Sequence, residues 1–87
     1  GVMGFTRGLA ADMGEFGIRA NVVMPASVPN DYMRRLFGDD FMSNAGKDHP
    51  LSRGARPEEI ANVILFLASD QSSYLTGETI GAGPGKA

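Results

Sequence analysis

Val2, Phe5, Leu9, Met13 and Phe16 recur at steps of three and four, while Arg7, Asp12 and Glu15 fall elsewhere around the turn. That spacing lays one apolar stripe along a helix. It predicts a helix over 2–16, with Gly14 and Gly17 as left-handed stopping points. The run Ile18-Arg-Ala-Asn-Val-Val-Met24 follows at once and is partly β-branched. It predicts a strand over 18–24 that Pro25 ends, since proline cannot donate to a sheet ladder. Helix, tight turn and strand make half of a βαβ unit, so the strand should run parallel to its neighbours. Its pattern does not alternate cleanly, which suits a strand covered on both faces.

A long middle stretch over 25–56 is punctuated by Pro25, Pro29, Gly38, Gly46, Pro50 and Gly54. Within it Asp31 can cap a short helix through Phe37, and Asp39 to Ala45 can form a second. So long a stretch between regular elements is expected to serve function or motion. A further helix is predicted over 57–69. Pro57 suits its first position, Glu58 and Glu59 suit the positive end of its dipole, and Ile60, Val63, Ile64 and Leu67 form its buried stripe. A turn at Ser72, Ser73 and Gly77 leads to a brief strand over 78–82 and a glycine-rich tail. The fold class is therefore α/β, with two main helices, two strands and a long middle loop.

The chain has 87 residues, which suffices for one modest core. Eight basic and ten acidic residues give a net charge of -2, so charge offers no case for nucleic acid or an anionic membrane. The longest apolar run, near Val63 to Ala68, is far too short to span a bilayer. With no cysteine and no signal peptide pattern, a reducing, cytoplasmic setting is the expectation. The chain opens at Gly1 on what reads as helix interior, which implies a cleaved tag or further residues upstream.

Most chemistry-bearing residue types read as ordinary structure. Gly81, Gly83 and Gly85 mimic a nucleotide loop, but no helix follows them, so a flexible terminus is the preferred reading. His49 is the sole histidine and has no cysteine partners; it reads as a loop residue beside Pro50 rather than a metal ligand. Asp39, Asp40 and Asp48 fit no calcium-loop spacing. Met3, Met13, Met24, Met33 and Met42 read as core and loop filler. Arg34 and Arg35 read as a solvated helix face before a carboxylate clamp. Ser27, Ser43, Ser52, Ser69, Ser72 and Ser73 include no Gly-x-Ser-x-Gly elbow, so a hydrolase is disfavoured.

Four stretches together resemble the C-terminal third of the short-chain dehydrogenase/reductase family. Gly1-Val-Met-Gly-Phe-Thr-Arg-Gly-Leu-Ala-Ala-Asp-Met-Gly14 is similar to the helix just past that family's catalytic Tyr-x-x-x-Lys. Gly17-Ile-Arg-Ala-Asn-Val-Val-Met-Pro25 is similar to the next strand, which leads to a Pro-Gly-x-Val-x-Thr loop. His49 to Ile60 and Leu65 to Asp70 resemble the end of the substrate loop and the helix after it. Tyr74-Leu-Thr-Gly77 resembles the entry to the last strand. The order and spacing of all four agree, and they cover nearly the whole chain.

The resemblance implies part of a Rossmann-like doubly wound parallel sheet, with 1–87 a single partial domain and 25–56 a lid over substrate and cofactor. It implies a parent that moves hydride between NAD or NADP and a small carbonyl or alcohol substrate. Pro25, Ala26, Val28 and Asn30 fall on the cofactor loop, with Val28 offering backbone groups to the carboxamide. Asn30, in the threonine position, offers its side-chain amide. Ala26 replaces the family's usual glycine, Pro29 removes a donor, and Gly81-Ala-Gly-Pro-Gly85 stands where Val-Asp-Gly-Gly is usual. No glycine-rich phosphate turn follows a first strand here. The dyad is absent too: four residues after Tyr32 comes Leu36, and four after Tyr74 comes Glu78. No catalytic residue and no metal ligand is therefore assigned, and tight cofactor binding is not expected of this chain alone.

Two expectations complete the reading. The chain supplies a lid and part of a nicotinamide pocket to a larger oxidoreductase; the alternative is a non-catalytic oligomerising or binding module. An unpaired strand edge and the bare face of the first helix predict a homo-oligomer. Met33, Leu36, Phe37, Phe41 and Met42 would line a moderately apolar pocket beneath the lid.

Overall fold

The computed structural model describes residues 1–26, 28–83 and 85. Ser27, among the candidate nucleophiles, and Pro84 of the glycine-rich tail lie outside the described residues. Helix α1 spans Val2–Met13 and tightens into a 3₁₀ turn over Gly14–Phe16. Gly17 then stops it with φ of 73°, a left-handed conformation that costs glycine nothing and other residues about 1 kcal/mol. Strand β1 is Val22–Pro25, helix α2 is Asp31–Asn44, helix α3 is Pro57–Ala68, and strand β2 is Thr79–Ala82. The two strands pair in parallel, Val22 with Thr79 through Pro25 with Ala82.

The first strand begins four residues later than the sequence suggests, and it includes Pro25. The late start has a local cause. Residues 18–21 are docked on the approach to β2 by single contacts rather than by a ladder. Ala20 accepts from the Gly77 amide at 2.7 Å and donates to Thr76 Oγ1 at 3.1 Å. The Asn21 side chain donates to the Leu75 carbonyl and accepts from the Glu78 amide. Proline is tolerated because of register. The Val22 amide donates to the Glu78 carbonyl just before β2 and the Ala26 amide to the Ala82 carbonyl at its end, at 2.9 Å each, so the alternation turns the Pro25 nitrogen toward the opposite edge, where no ladder donor is required.

Helix α2 is two helical pieces joined at Gly38, whose φ of 86° and ψ of 171° break the helix. The sequence-based split near this point therefore corresponds to the kink. The cap differs. Asn30, not Asp31, holds the extended cap conformation, and its Oδ1 accepts from the Met33 amide at 2.9 Å. Asp31 is instead the first helical residue and pairs with Arg34 at 3.2 Å.

Packing is concentrated on small residues. On α1 the buried positions are Thr6 and Ala10, the latter 7 % exposed. A Cβ built on Gly77 would lie 3.5 Å from the Ala10 methyl, so the helix approaches the entry to β2 closely. Large side chains of α1 and of the 3₁₀ turn after it stay outside this contact: Phe5 is 71 % and Phe16 67 % exposed. On α3, Ile60, Val63 and Leu67 are half-buried, but Ile64 is 53 % exposed, so the predicted buried stripe is narrower than its spacing suggests. The two-stranded sheet is too narrow to cover that fourth position.

One side chain ties these elements together. The Arg19 guanidinium reaches past β1 to the end of α3. Its Nη1 donates to the Ser72 carbonyl at 2.8 Å, to Ser72 Oγ at 3.0 Å and to the Leu75 carbonyl at 3.1 Å. Its Nη2 donates to the carbonyls of Ser69 at 3.0 Å and Leu67 at 3.3 Å. The last carbonyls of a helix lack intrahelical donors and carry the negative end of its dipole. A cation fits there, and Ser72, 2 % exposed, is the most buried polar residue among the described residues.

Candidate functional site

Parallel pairing brings the carboxyl ends of β1 and β2 side by side, and open α/β sheets bind ligands at those ends. Here the chain leaving β1 and the Gly83 region after β2 form one wall, and the turns over 46–54 form the other. Between them lies a cavity of about 490 Å³, lined by Pro25, Ala26, Gly83, His49, Arg53 and neighbouring glycines.

Small residues make the close approaches possible. A Cβ on Gly54 would sit 2.6 Å from the Pro29 ring, so Pro29 rests directly on the Gly54 backbone. Gly46 has φ of 78° and faces the Arg53 carbonyl so closely that no Cβ could be placed there. Gly85 is covered by the Pro50 ring.

The far wall is pinned to α3 by an ion pair. Arg53 Nη1 and Nη2 donate to the two carboxylate oxygens of Glu59 at 2.6 and 2.7 Å, the paired geometry that a guanidinium fork favours. Glu59 also accepts from the Arg56 amide at 2.9 Å, which supplies a donor-satisfying contact at the start of α3. These hydrogen bonds, Arg53 first, hold the Glu59 carboxyl down at about 2, and the same pairing raises Arg53. The sign follows directly. A carboxyl depressed on folding contributes stability above its ordinary range and loses it as pH falls through the depressed value. The pin is therefore expected to hold at pH 4 and open toward pH 2. Limited proteolysis between residues 46 and 54 checks this: cleavage should be slow at pH 4 in the natural chain and fast in Glu59→Gln. Equal rates for the two would remove the pin from the account.

The four candidate cofactor residues are divided by the structure. Pro25 and Ala26 line the cavity. Val28 and Asn30 lie beyond it, on the approach to α2, where Asn30 Nδ2 donates to the Val28 carbonyl at 3.3 Å. The Asn30 side chain thus spans two backbone groups, capping the helix with one atom and holding the loop with the other. Sequence reasoning passed over Arg19, the Arg53–Glu59 pair and the position of His49. The spacing Arg53 to Glu59 was a weak signal at best, and the partners of Arg19 are carbonyls, which have no residue type. Both tyrosines are exposed, Tyr74 fully and Tyr32 largely. Among the described residues no helix is long and apolar enough to cross a membrane.

Comparison with known proteins places this arrangement. The family model described as enoyl-(acyl carrier protein) reductase matches residues 1–85. The chain is 39 % identical over 87 residues to a 3-oxoacyl-[acyl-carrier-protein] reductase of Chlamydia trachomatis, covering 100 % of this chain and 35 % of that protein. It is 41 % identical over 85 residues to a short-chain reductase of Streptomyces niveus, covering 91 % and 32 % respectively. The NADPH-bound structure of a short-chain oxidoreductase from Pseudomonas aeruginosa with an atypical catalytic center superposes with a TM-score of 0.84 at 33 % identity, over 99 % of this chain and 35 % of that one. The chain thus spans about a third of the length of the relatives it matches. Its helices, its parallel strand pair and the order of its motifs are those of a Rossmann-type α/β fold, and the chain belongs to the short-chain dehydrogenase/reductase family.

Proposed function

We propose that this chain forms the C-terminal part of an NAD(P)-dependent oxidoreductase, supplying the substrate lid and one end of the nicotinamide pocket. The observation that carries the reading is the cavity at the carboxyl ends of β1 and β2, with Pro25 and Ala26 on its wall. The nicotinamide end of a cofactor fits such a place, where small residues leave backbone accessible beside the strand ends. Pro25 and Ala26 would hold it from the cavity wall, while Val28 and Asn30, beyond that wall, would act on it through the loop they fix, Asn30 by its bonds to the Val28 carbonyl and the Met33 amide. When bound, the nicotinamide supplies or accepts the hydride. This chain's residues orient it and close the pocket. In the short-chain dehydrogenase/reductase family the proton that accompanies the hydride is handled by a tyrosine with a lysine four residues on, and neither Tyr32 nor Tyr74 of this chain has one. The chain alone is therefore not competent for the reaction. Its substrate is a small carbonyl or alcohol compound, and its setting is the cytoplasm.

A second reading, a non-catalytic oligomerising or binding module, is favoured by the bare α1 stripe, where Val2, Phe5 and Phe16 are all exposed. On the oxidoreductase reading the same stripe is covered by the remainder of the polypeptide or by a second copy in a homo-oligomer. An intact mass of the natural protein, followed by NADH and NADPH oxidation with small ketones, separates the two. The oxidoreductase reading expects a mass well above 9.2 kDa and ketone-dependent oxidation of one cofactor. A natural protein of this mass with no such activity would leave the module reading in its place.

A further inference from the structure

His49 occupies a position that a filler loop residue has no need of. It lines the same cavity as Pro25 and Ala26, opposite the strand ends. Its backbone is fixed on both sides: its amide donates to the Gly46 carbonyl at 3.1 Å, and its carbonyl accepts from the Ser52 amide at 2.8 Å and from Ser52 Oγ at 3.1 Å. Ser52 closes this turn with φ of 59°, a left-handed conformation that a non-glycine residue adopts only when its surroundings demand it. The imidazole is thus carried on a turn whose backbone is hydrogen-bonded on both sides of His49.

The charge on the cavity wall is already paired. Arg53, the cation there, has its two terminal nitrogens committed to Glu59. No carboxylate lies among the described lining residues, and Asp48, adjacent in sequence, is not one of them. The rest of the wall is largely glycine and alanine, which offer backbone but no side-chain charge. His49 is exposed, and an imidazole N–H on the wall of such a space is a donor suited to an anionic oxygen.

We propose that His49 is a specificity-determining residue, donating a hydrogen bond to a carboxylate on the carbonyl substrate and so favouring oxo acids over neutral ketones. This rests on the oxidoreductase reading for the identity of the ligand as a substrate, but not for its binding. The probes are 4-oxopentanoate and its methyl ester, which differ in the carboxylate alone. In the natural full-length protein, His49→Ala is expected to raise KM for 4-oxopentanoate about tenfold, with kcat within about twofold and the ester unaffected. His49→Gln, which keeps an N–H donor, should recover most of the loss. Equal effects on acid and ester, or none on either, would overturn the proposal. A binding readout stands apart from turnover. The His49 ring C–H signal, assigned by its loss in His49→Gln, should shift as 4-oxopentanoate is added, and a stationary signal also overturns the proposal. A shifting signal with no hydride transfer to either probe supports the site and defeats the oxidoreductase reading. Transfer without discrimination does the reverse.

Discussion

Replacing Arg19 with alanine is expected to lower the unfolding free energy by about 3 kcal/mol. The guanidinium serves the carbonyls of Leu67, Ser69, Ser72 and Leu75 together with the Ser72 hydroxyl. Hydrogen bonds to a charged group contribute about 1.5–3 kcal/mol each in isolation. These five share one side chain and two nitrogens, so their sum greatly overstates the loss. What makes the substitution severe is the set of half-buried acceptors it leaves behind. Arg19→Lys should recover less than half, because an ammonium on a flexible stem cannot span carbonyls on both sides of the Ser72 turn as a planar fork does. Urea denaturation of the three proteins decides the matter. A loss below about 1 kcal/mol for the alanine variant would mean that water replaces the guanidinium without penalty.

Gly46→Ala should be the second most damaging change. Two costs combine at that position. A φ of 78° disfavours any side chain by about 1–2 kcal/mol, and the new methyl would overlap the Arg53 carbonyl. Gly17→Ala isolates the first cost, since its φ is 73° and nothing lies within 4 Å of the added atom. We expect Gly17→Ala to lose about 1 kcal/mol and Gly46→Ala about 2–3 kcal/mol, with the excess measuring how firmly Arg53 is held. Thermal unfolding of both variants gives the comparison. If the two losses are equal, the turn over 46–54 yields to the methyl, and the cavity wall is softer than its Glu59 contact implies.

The parts of this structure that could be read from the sequence are those whose causes are local. The α1 stop follows from Gly17, and α3 follows from Pro57, two acidic residues and an apolar period. The parallel relation of the strands follows from a helix placed directly before a β-branched run. The parts that could not be read depend on residues far apart in the chain. The start of β1 is set by Thr76, Gly77 and Glu78, none of which is near residue 18 in sequence. Pro25 looked like a terminator because its tolerance depends on which edge of β1 is paired. Asn30 and Asp31 are both good caps by residue type, and only the backbone at residue 30 separates them. Val28 and Asn30 could be assigned to one loop with Pro25 and Ala26, but not to the far side of the cavity wall. His49 resembled filler because nothing near it in sequence says that the turn faces the strand ends.

The pairing of β1 with β2 also governs how this polypeptide reaches its native form. Asn21 and Glu78, which meet beside the ladder, are 57 positions apart, and the Arg19 contacts span 48 to 56 positions. No ladder contact and no Arg19 contact is local. The entropy of closing so large a ring must be overcome before the first of them forms, though it grows only with the logarithm of the ring's length. Helices can flicker into place within microseconds, whereas the strand pair must await a diffusive encounter of distant segments. The search for that encounter, rather than helix formation, is therefore expected to set the folding rate of this region.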